Sequence, residues 1–296
     1  NYVRRHFFPK KYNQLLLYYF NLMKNLNIDK KSLDQVYDFW NEESCGEIYA
    51  KGTSLSAQYE SEMAKRYELE PYIKDFAQFD SFKNLDVLEI GVGMGTDHSS
   101  IAYALPKNLR GVDLTERAID HTKARFSLLG LKSNVTVDNA ESLSFKSNQF
   151  DAIYSWGVLH HSINTEKCFD EVYRVLKPGG TAKIMIYHKY SPIGLMLWLR
   201  YGLFKFKSLE SVYSNHLESP GTKCYSLEEV RGMTAKFANV DLKVQISFGD
   251  LLEGEVGARH RGFLLFLAKL IYPRRLVKWL SKFLPFGLYL LINLKK

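Results

Sequence analysis

The sequence predicts an α/β fold in which a mostly parallel sheet is covered by helices on both faces. Three observations carry this reading. From residue 85, short apolar runs alternate with amphipathic helical stretches. The first run, Asp86–Ile90, stops at a glycine-rich turn, Gly91-Val92-Gly93-Met94-Gly95. Asp113 then closes the second run 20 residues after Gly93. In nucleotide-binding α/β units, an acid at about that spacing accepts hydrogen bonds from ribose hydroxyls.

The elements follow in order. Residues 9–79 read as mainly helical, with apolar residues three and four apart through Leu15–Leu26, Leu33–Trp40 and Tyr59–Phe79. Pro71 kinks the last of these or opens a new helix. After the Asp86–Ile90 strand come a helix over Thr96–Leu105 and a strand over Leu109–Leu114. A helix from Thr115 to Leu129 has Thr115 as N-cap and Glu116 in its first turn. Val135–Val137 and Phe150–Trp156 are the next strands. A helix over Thr165–Leu176 ends at Lys177-Pro178-Gly179-Gly180, and Thr181–Tyr187 is the fifth strand. Pro192–Phe206 reads as an apolar helical insertion and Ser226–Phe237 as a helix whose start is close to a capping box. Val240–Phe248 is a strand, Phe263–Leu284 a basic helix and Leu288–Leu294 a last strand.

With 296 residues, 46% of them hydrophobic and 24% charged, the chain suits one large domain with additions. Three cysteines, far apart and without a CxxC pair, argue against a disulfide framework or a structural zinc and fit a reducing, cytoplasmic compartment. The chain begins at Asn1 rather than Met, and its first residues show no small-residue cleavage pattern. Net charge is +8, but nine Lys/Arg and no acid fall in Ala258–Lys296, and four Lys/Arg and no acid in residues 1–11. The body between them is therefore net acidic, unlike a uniformly basic nucleic-acid binder. No segment has 18–20 uninterrupted apolar residues, so no membrane-spanning helix is expected.

The glycine turn bears on the ligand. Its spacing is GxGxG with Thr96 beyond it, rather than the GxGxxG of dinucleotide sites. Glu89 stands two residues before the first glycine. An acid there repels a pyrophosphate and suits a ligand with an ammonium or sulfonium group. This favours S-adenosylmethionine over a nicotinamide dinucleotide.

Four segments in order carry a family resemblance. Val87 to Gly95 resembles motif I of the class I methyltransferases. Asp138-Asn139-Ala140-Glu141-Ser142-Leu143-Ser144-Phe145 resembles the GDAExLPF motif of the ubiquinone/menaquinone-type branch, and Phe150 to His161 resembles that branch's FDxVxSxxVLHH motif. Arg174-Val175-Leu176-Lys177-Pro178-Gly179-Gly180 matches its RVLKPGG turn. The resemblance implies a Rossmann-like, seven-stranded sheet, parallel except for its last strand. It implies an N-terminal helical cap over 1–79 and a methyltransferase domain over 80–296, with helical insertions near 188–225 and 250–285. It implies that Glu89, Gly91, Gly93 and Gly95 surround the methionine part and ribose of S-adenosylmethionine. Asp113 would hold the ribose hydroxyls, Leu114 would pack on the adenine, and Asn139 and Ala140 would read its edge. Asp138-Asn139 departs from the usual Gly-Asp, leaving an amide oxygen where the family has a carboxylate. Trp156 and Gly157 would lie beside the cofactor.

Methyl transfer from a sulfonium, leaving S-adenosylhomocysteine, is a direct displacement, so alignment and water exclusion matter most. A general base is needed only if the nucleophile must lose a proton. His160, His161 and His188 are the candidates. Tyr59, Tyr67, Tyr187 and Tyr225 are candidate substrate or lid residues. Trp40 with its neighbours, Cys45-Gly46 and the Pro220–Lys223 loop are further unassigned patches. Metal-dependent transfer to catechols would need a carboxylate cluster, and none is visible, so no metal is expected. The expected acceptor is a small molecule, hydrophobic or lipid-like. RNA or protein methylation and a non-catalytic binding protein are the competing readings, and no dedicated nucleic-acid motif appears. Arg274, Arg275, Lys278 and Lys282 alternate with Leu276, Trp279, Leu280 and Phe283. This basic amphipathic pattern suits either a helix packed on the sheet or peripheral contact with an anionic membrane.

Overall fold

The computed structural model describes residues 33–253 and 269–296. The Leu15–Leu26 helix, the basic residues of the first eleven positions and the front of the Phe263–Leu284 helix lie outside these residues. A helix over 33–42 (α1) leads to α2 (Leu55–Leu69) and α3 (Tyr72–Ala77). Pro71 is the N-cap of α3, so it opens a new helix. Then follow β1 (Asp86–Ile90), α4 (Thr96–Tyr103), β2 (Asn108–Asp113), α5 (Glu116–Leu129) and β3 (Asn134–Val137). The chain returns through β4 (Phe150–Trp156), α6 (Thr165–Val175) and β5 (Leu176–Tyr187). It closes with α7 (Pro192–Tyr201), α8 (Leu209–His216), α9 (Leu227–Met233), β6 (Asn239–Gln245), α10 (Arg274–Leu280) and β7 (Tyr289–Lys295).

The seven strands form one sheet in the order β3-β2-β1-β4-β5-β7-β6. The pairs among β1 to β5 are parallel, and β7 runs antiparallel to both β5 and β6. The strand order reverses between β1 and β4, which opens a crevice at their carboxyl ends. Alternation along each strand feeds two cores. Leu88, Ile90, Ile153 and Ile184 pack with α6 and α9 residues on one face. Val87, Tyr154, Trp156 and Met185 pack on the other with Ile73 and Ala77 of α3. The caps are local and sequence-encoded. Ser54, Thr115 and Ser226 each accept a hydrogen bond from a first-turn N–H, and Ser226 with Glu229 completes a capping box.

Several boundaries differ from expectation. β5 starts at Leu176, which pairs with Phe150, and a register irregularity over Lys177–Gly180 precedes regular pairing from Thr181. The turn glycines therefore make a bulge inside the strand rather than a loop before it. The Pro192–Phe206 helix stops at Tyr201, and a 3-10 turn over Leu203–Lys205 ends at Phe206 in the left-handed region. The helix begun at Ser226 ends at Met233, and the sixth strand at Gln245. Tyr272-Pro273 interrupts the basic C-terminal helix, because proline cannot supply the N–H that would continue it. Among the described residues no helix is long and apolar enough to cross a membrane.

Candidate active site

The glycine turn is shaped by what surrounds it. Gly91, Gly93 and Gly95 have φ of 85°, 50° and 76°, where side chains are strained. A Cβ on Gly91 would lie 2.1 Å from Val158 Cγ2, and one on Gly95 would lie 3.0 Å from Thr122 Oγ1. At Gly93 it would meet nothing within 4 Å. Gly91 and Gly95 are thus small because protein packs against them, while Gly93 faces open space. That space is a cavity of about 970 Å³ running across the crevice.

The expected residues distribute unevenly around it. Glu89, Gly91, Gly93, Asp113, Leu114, Asn139, Ala140, Trp156 and Gly157 line the cavity; Gly95 does not, and instead N-caps α4. Asp113 Oδ2 accepts from Gly93 N at 3.1 Å, and Oδ1 accepts from Thr115 N at 3.1 Å. Burial raises its pKa against the pull of these donors. Glu89 Oε2 lies 2.7 Å from His98 Nδ1, a partner nine residues on that pattern reading could not show. Burial pushes the Glu89 carboxyl well above its usual range and lowers His98 to about 3. The two shifts agree that the pair does not sit as separated charges. Asn139 Oδ1 already accepts from Glu141 N at 2.9 Å. The adjacent Asp138 also lines the wall.

Aromatic residues close the far end. Tyr187 and Tyr289 stack at 6.0 Å with planes 5° apart, and Trp156 meets Tyr289 edge-on at 5.7 Å. Trp156 Nε1 donates to Glu70 Oε1 at 3.4 Å. Tyr187 lines the cavity, and its hydroxyl donates to Glu218 Oε2 at 2.7 Å. The other tyrosines are placed elsewhere. Tyr59 donates to the His121 carbonyl at 3.1 Å, Tyr67 to Asp97 Oδ1 at 3.1 Å, and Tyr225 bridges to His188 through its backbone. None of these three lines the cavity.

The histidines also separate. His161 lines the cavity; its Nδ1 is 2.8 Å from Ser219 Oγ and its Nε2 is 3.4 Å from Glu218. His160 lies directly behind, fully buried, its ring 3.9 Å from that of Tyr187. His188, also expected as a candidate base or substrate contact, does not line the cavity. Its Nδ1 sits 3.0 Å from the Tyr190 carbonyl and 3.1 Å from the Gly287 carbonyl, tying the β5 end to the start of β7.

Sequence reading missed part of the wall. Arg66, Glu70, Glu218 and Tyr289 all line the cavity. Arg66 makes a two-pronged pair with the buried Asp97, at 3.1 and 2.7 Å, anchoring α2 to α4. The Pro220–Lys223 turn marked a loop, but the wall residues are Leu217 and Glu218 just before it. Trp40 and Cys45, from the unassigned N-terminal patch, line it too.

Residues 87–180 match the family model of a methyltransferase domain. Together with the sheet order and the one reversed strand, this match makes residues 87–180 similar to a class I methyltransferase domain. Sterol 24-C-methyltransferase of Neurospora crassa is 35% identical over 108 residues, 36% of this chain and 28% of that protein. The ubiquinone/menaquinone biosynthesis C-methyltransferase of Hydrogenovibrio crunogenus is 28% identical over 149 residues, 49% of this chain and 58% of that protein. Phosphoethanolamine N-methyltransferase 2 of Haemonchus contortus, solved with phosphomonomethylethanolamine and S-adenosylhomocysteine, matches at TM-score 0.53 and 18% identity. That match covers 88% of this chain and 60% of that one, and shows the fold alone. The chain thus spans between 27% and 58% of the length of these curated relatives.

Proposed function

We propose that this chain binds S-adenosylmethionine in the cavity and transfers its methyl group to a small, hydrophobic or lipid-like acceptor. The observation that carries the reading is one continuous cavity joining the glycine turn and Asp113 to the aromatic end at Trp156, Tyr187 and Tyr289. At about 970 Å³ it is near the top of the usual range for ligand sites, roughly 300–1,000 Å³. That leaves room for two ligands side by side. The residues fit the cofactor: Gly93 offers open space where a Cβ would intrude, and Asp113 is fixed by Gly93 and Thr115, with Oδ2 left to accept from a ribose hydroxyl. Glu89 lies where it can meet an ammonium. Leu114, Asn139 and Ala140 line the adenine side. We take the methyltransferase domain as 80–296 and the residues before it as a cap.

S-adenosylmethionine, when bound, supplies a methyl group already activated on sulfonium. The protein's share is then alignment and dryness. Trp156 and Gly157 flank the transfer point, and the Tyr187–Tyr289 stack keeps water out. Of the three candidate histidines, only His161 lines the cavity and is within reach of an acceptor. The relatives' names support small acceptors, since they include a sterol, a quinone, a fatty acid and phosphoethanolamine. They span carbon, nitrogen and oxygen methylation, so the acceptor atom is not set by the fold. Peripheral contact with an anionic membrane through the basic helix α10 is the accompanying proposal. Calorimetry with S-adenosylmethionine and S-adenosylhomocysteine tests the core: absence of binding by both ligands at physiological concentrations sinks it. A labelled-methyl screen against metabolite and lipid extracts then identifies the acceptor.

A further inference from the structure

His160 poses a problem that the methyl-transfer reading leaves unsolved. It is completely buried, and neither ring nitrogen has a hydrogen-bond partner. An unmade hydrogen bond in the interior is costly, so an orphaned imidazole calls for a bound water or ion. Two further groups surround it. Ligand atoms of His160, His161 and Glu218 all lie within 4.8 Å of one another, the one such group of three among the described residues. Two come from the 3-10 turn after β4 (Leu159–His161), and the third arrives 57 residues later from the segment after α8.

We propose that His160, His161 and Glu218 bind one divalent transition-metal ion at the aromatic end of the cavity. Two imidazoles and a carboxylate are a donor set suited to zinc, iron(II), cobalt or manganese. The surroundings have the form of an outer ligand shell. Ser219 Oγ, 2.8 Å from His161 Nδ1, and Thr222 Oγ1, 3.3 Å from it, hold that ring and turn Nε2 towards Glu218. Tyr187 donates to Glu218 Oε2 and so fixes the carboxylate. Metal-bound histidines and carboxylates are oriented by such partners. Lys223, the nearby cation, directs its ammonium to the Ser162 carbonyl. Three protein ligands leave coordination positions open, and His161 and Glu218 both face the cavity. The open positions suit an acceptor carrying a hydroxyl or carbonyl oxygen, which the ion would hold against the transferable methyl. This acceptor role rests on the proposed function; the binding of metal does not. It also departs from the metal-free expectation. That expectation looked for a carboxylate cluster, whereas this site needs one carboxylate brought in from far along the chain.

The test uses the full chain, stripped with a chelator and titrated with Co²⁺ and Zn²⁺. Calorimetry gives the stoichiometry and the cobalt visible spectrum reports the ligands. The expected result is one equivalent bound, with a cobalt spectrum indicating nitrogen and oxygen ligands. Glu218→Ala and His161→Ala should each weaken binding by more than about 100-fold, and Tyr187→Phe by roughly 10-fold. S-adenosylhomocysteine binding, measured on the same samples, checks that each variant is folded and tests the cofactor reading separately. The proposal is overturned if the wild type binds no stoichiometric Co²⁺ or Zn²⁺. It is equally overturned if folded Glu218→Ala and His161→Ala bind as tightly as the wild type.

Discussion

Gly91 is held by two constraints at once, a φ of 85° and the Val158 side chain against its α-carbon. Gly91→Ala should therefore cost about 1–2 kcal/mol for the left-handed backbone and about 1–3 kcal/mol for the clash. Measured by urea unfolding, Val158→Ala in the same chain should return part of the clash cost, because the Val158 Cβ still lies 2.9 Å away, and leave the backbone part. A double-mutant cycle with no coupling would show that the contact does not matter. His188 permits a pH test. Burial lowers its pKa from the ordinary 6.5. The folded chain keeps it neutral while the unfolded chain takes up the proton. Its stabilising contribution is thus complete above pH 6.5 and lost as pH falls below it, by at most about 1.4 kcal/mol per unit. His188→Asn keeps a donor towards the Tyr190 and Gly287 carbonyls without titrating near neutrality. Its stability should fall less steeply between pH 6.5 and 5 in denaturant titrations, and an unchanged slope would refute the assignment. At this scale the sequence was informative where chemistry is local. The GxGxG spacing, Glu89 and Asp113 were all readable, because adjacent residues on one strand and turn share a location. Distant partners, His98 for Glu89 and Glu218 for His161, were not, because helix and loop packing alone brings them together.

Among the elements, α2 illustrates how a covering helix is fastened. Glu62 and Arg125 form a pair that is 2% exposed on each side. Glu62 also accepts from Thr96, and Arg125 Nε donates to the Met94 carbonyl at 2.7 Å. Glu62→Gln would leave a buried guanidinium without its counter-charge and should cost about 3–5 kcal/mol in chemical unfolding. Lys65→Ala breaks only the surface pair with Glu68 and should change stability by less than about 1 kcal/mol. Comparable losses in the two variants would remove α2 from the folded unit. Periodicity identified α2 as amphipathic, but its fastening to α5 joins residues 63 positions apart and carries no periodic signal. The helix α8 escaped notice for a related reason: it is eight residues long and buries only Val212 and Tyr213. The main strands of the sheet were legible because each is a short apolar run stopped by a turn.

Over the whole molecule, charge and apolar exposure coincide at the C-terminal segment. Leu276, Trp279, Phe283 and Leu284 are exposed beside Arg275, Lys278 and Lys282. Arg274 is turned inward, donating to the Leu251 and Lys269 carbonyls. Removing the chain after residue 257 would delete β7, so point substitutions are the sounder probe. Trp279→Asp with Phe283→Asp should abolish co-flotation with phosphatidylserine-containing vesicles and leave phosphatidylcholine controls unchanged. Equal recovery of both proteins in the anionic lipid fraction would discard the membrane proposal.

The place of β7 between β5 and β6 has a kinetic consequence. Its pairings with β5 join residues more than a hundred positions apart, so this part of the sheet must close late and slowly. Until it does, β5 presents an open edge and β6, which joins the sheet only through β7, stays unpaired, while Leu290, Leu291 and Ile292, among the most buried residues of the protein, remain exposed. An intermediate caught at that stage would be sticky, and its fate would depend on chain concentration. Refolding yield should therefore respond to dilution more than the stability of the finished protein would suggest.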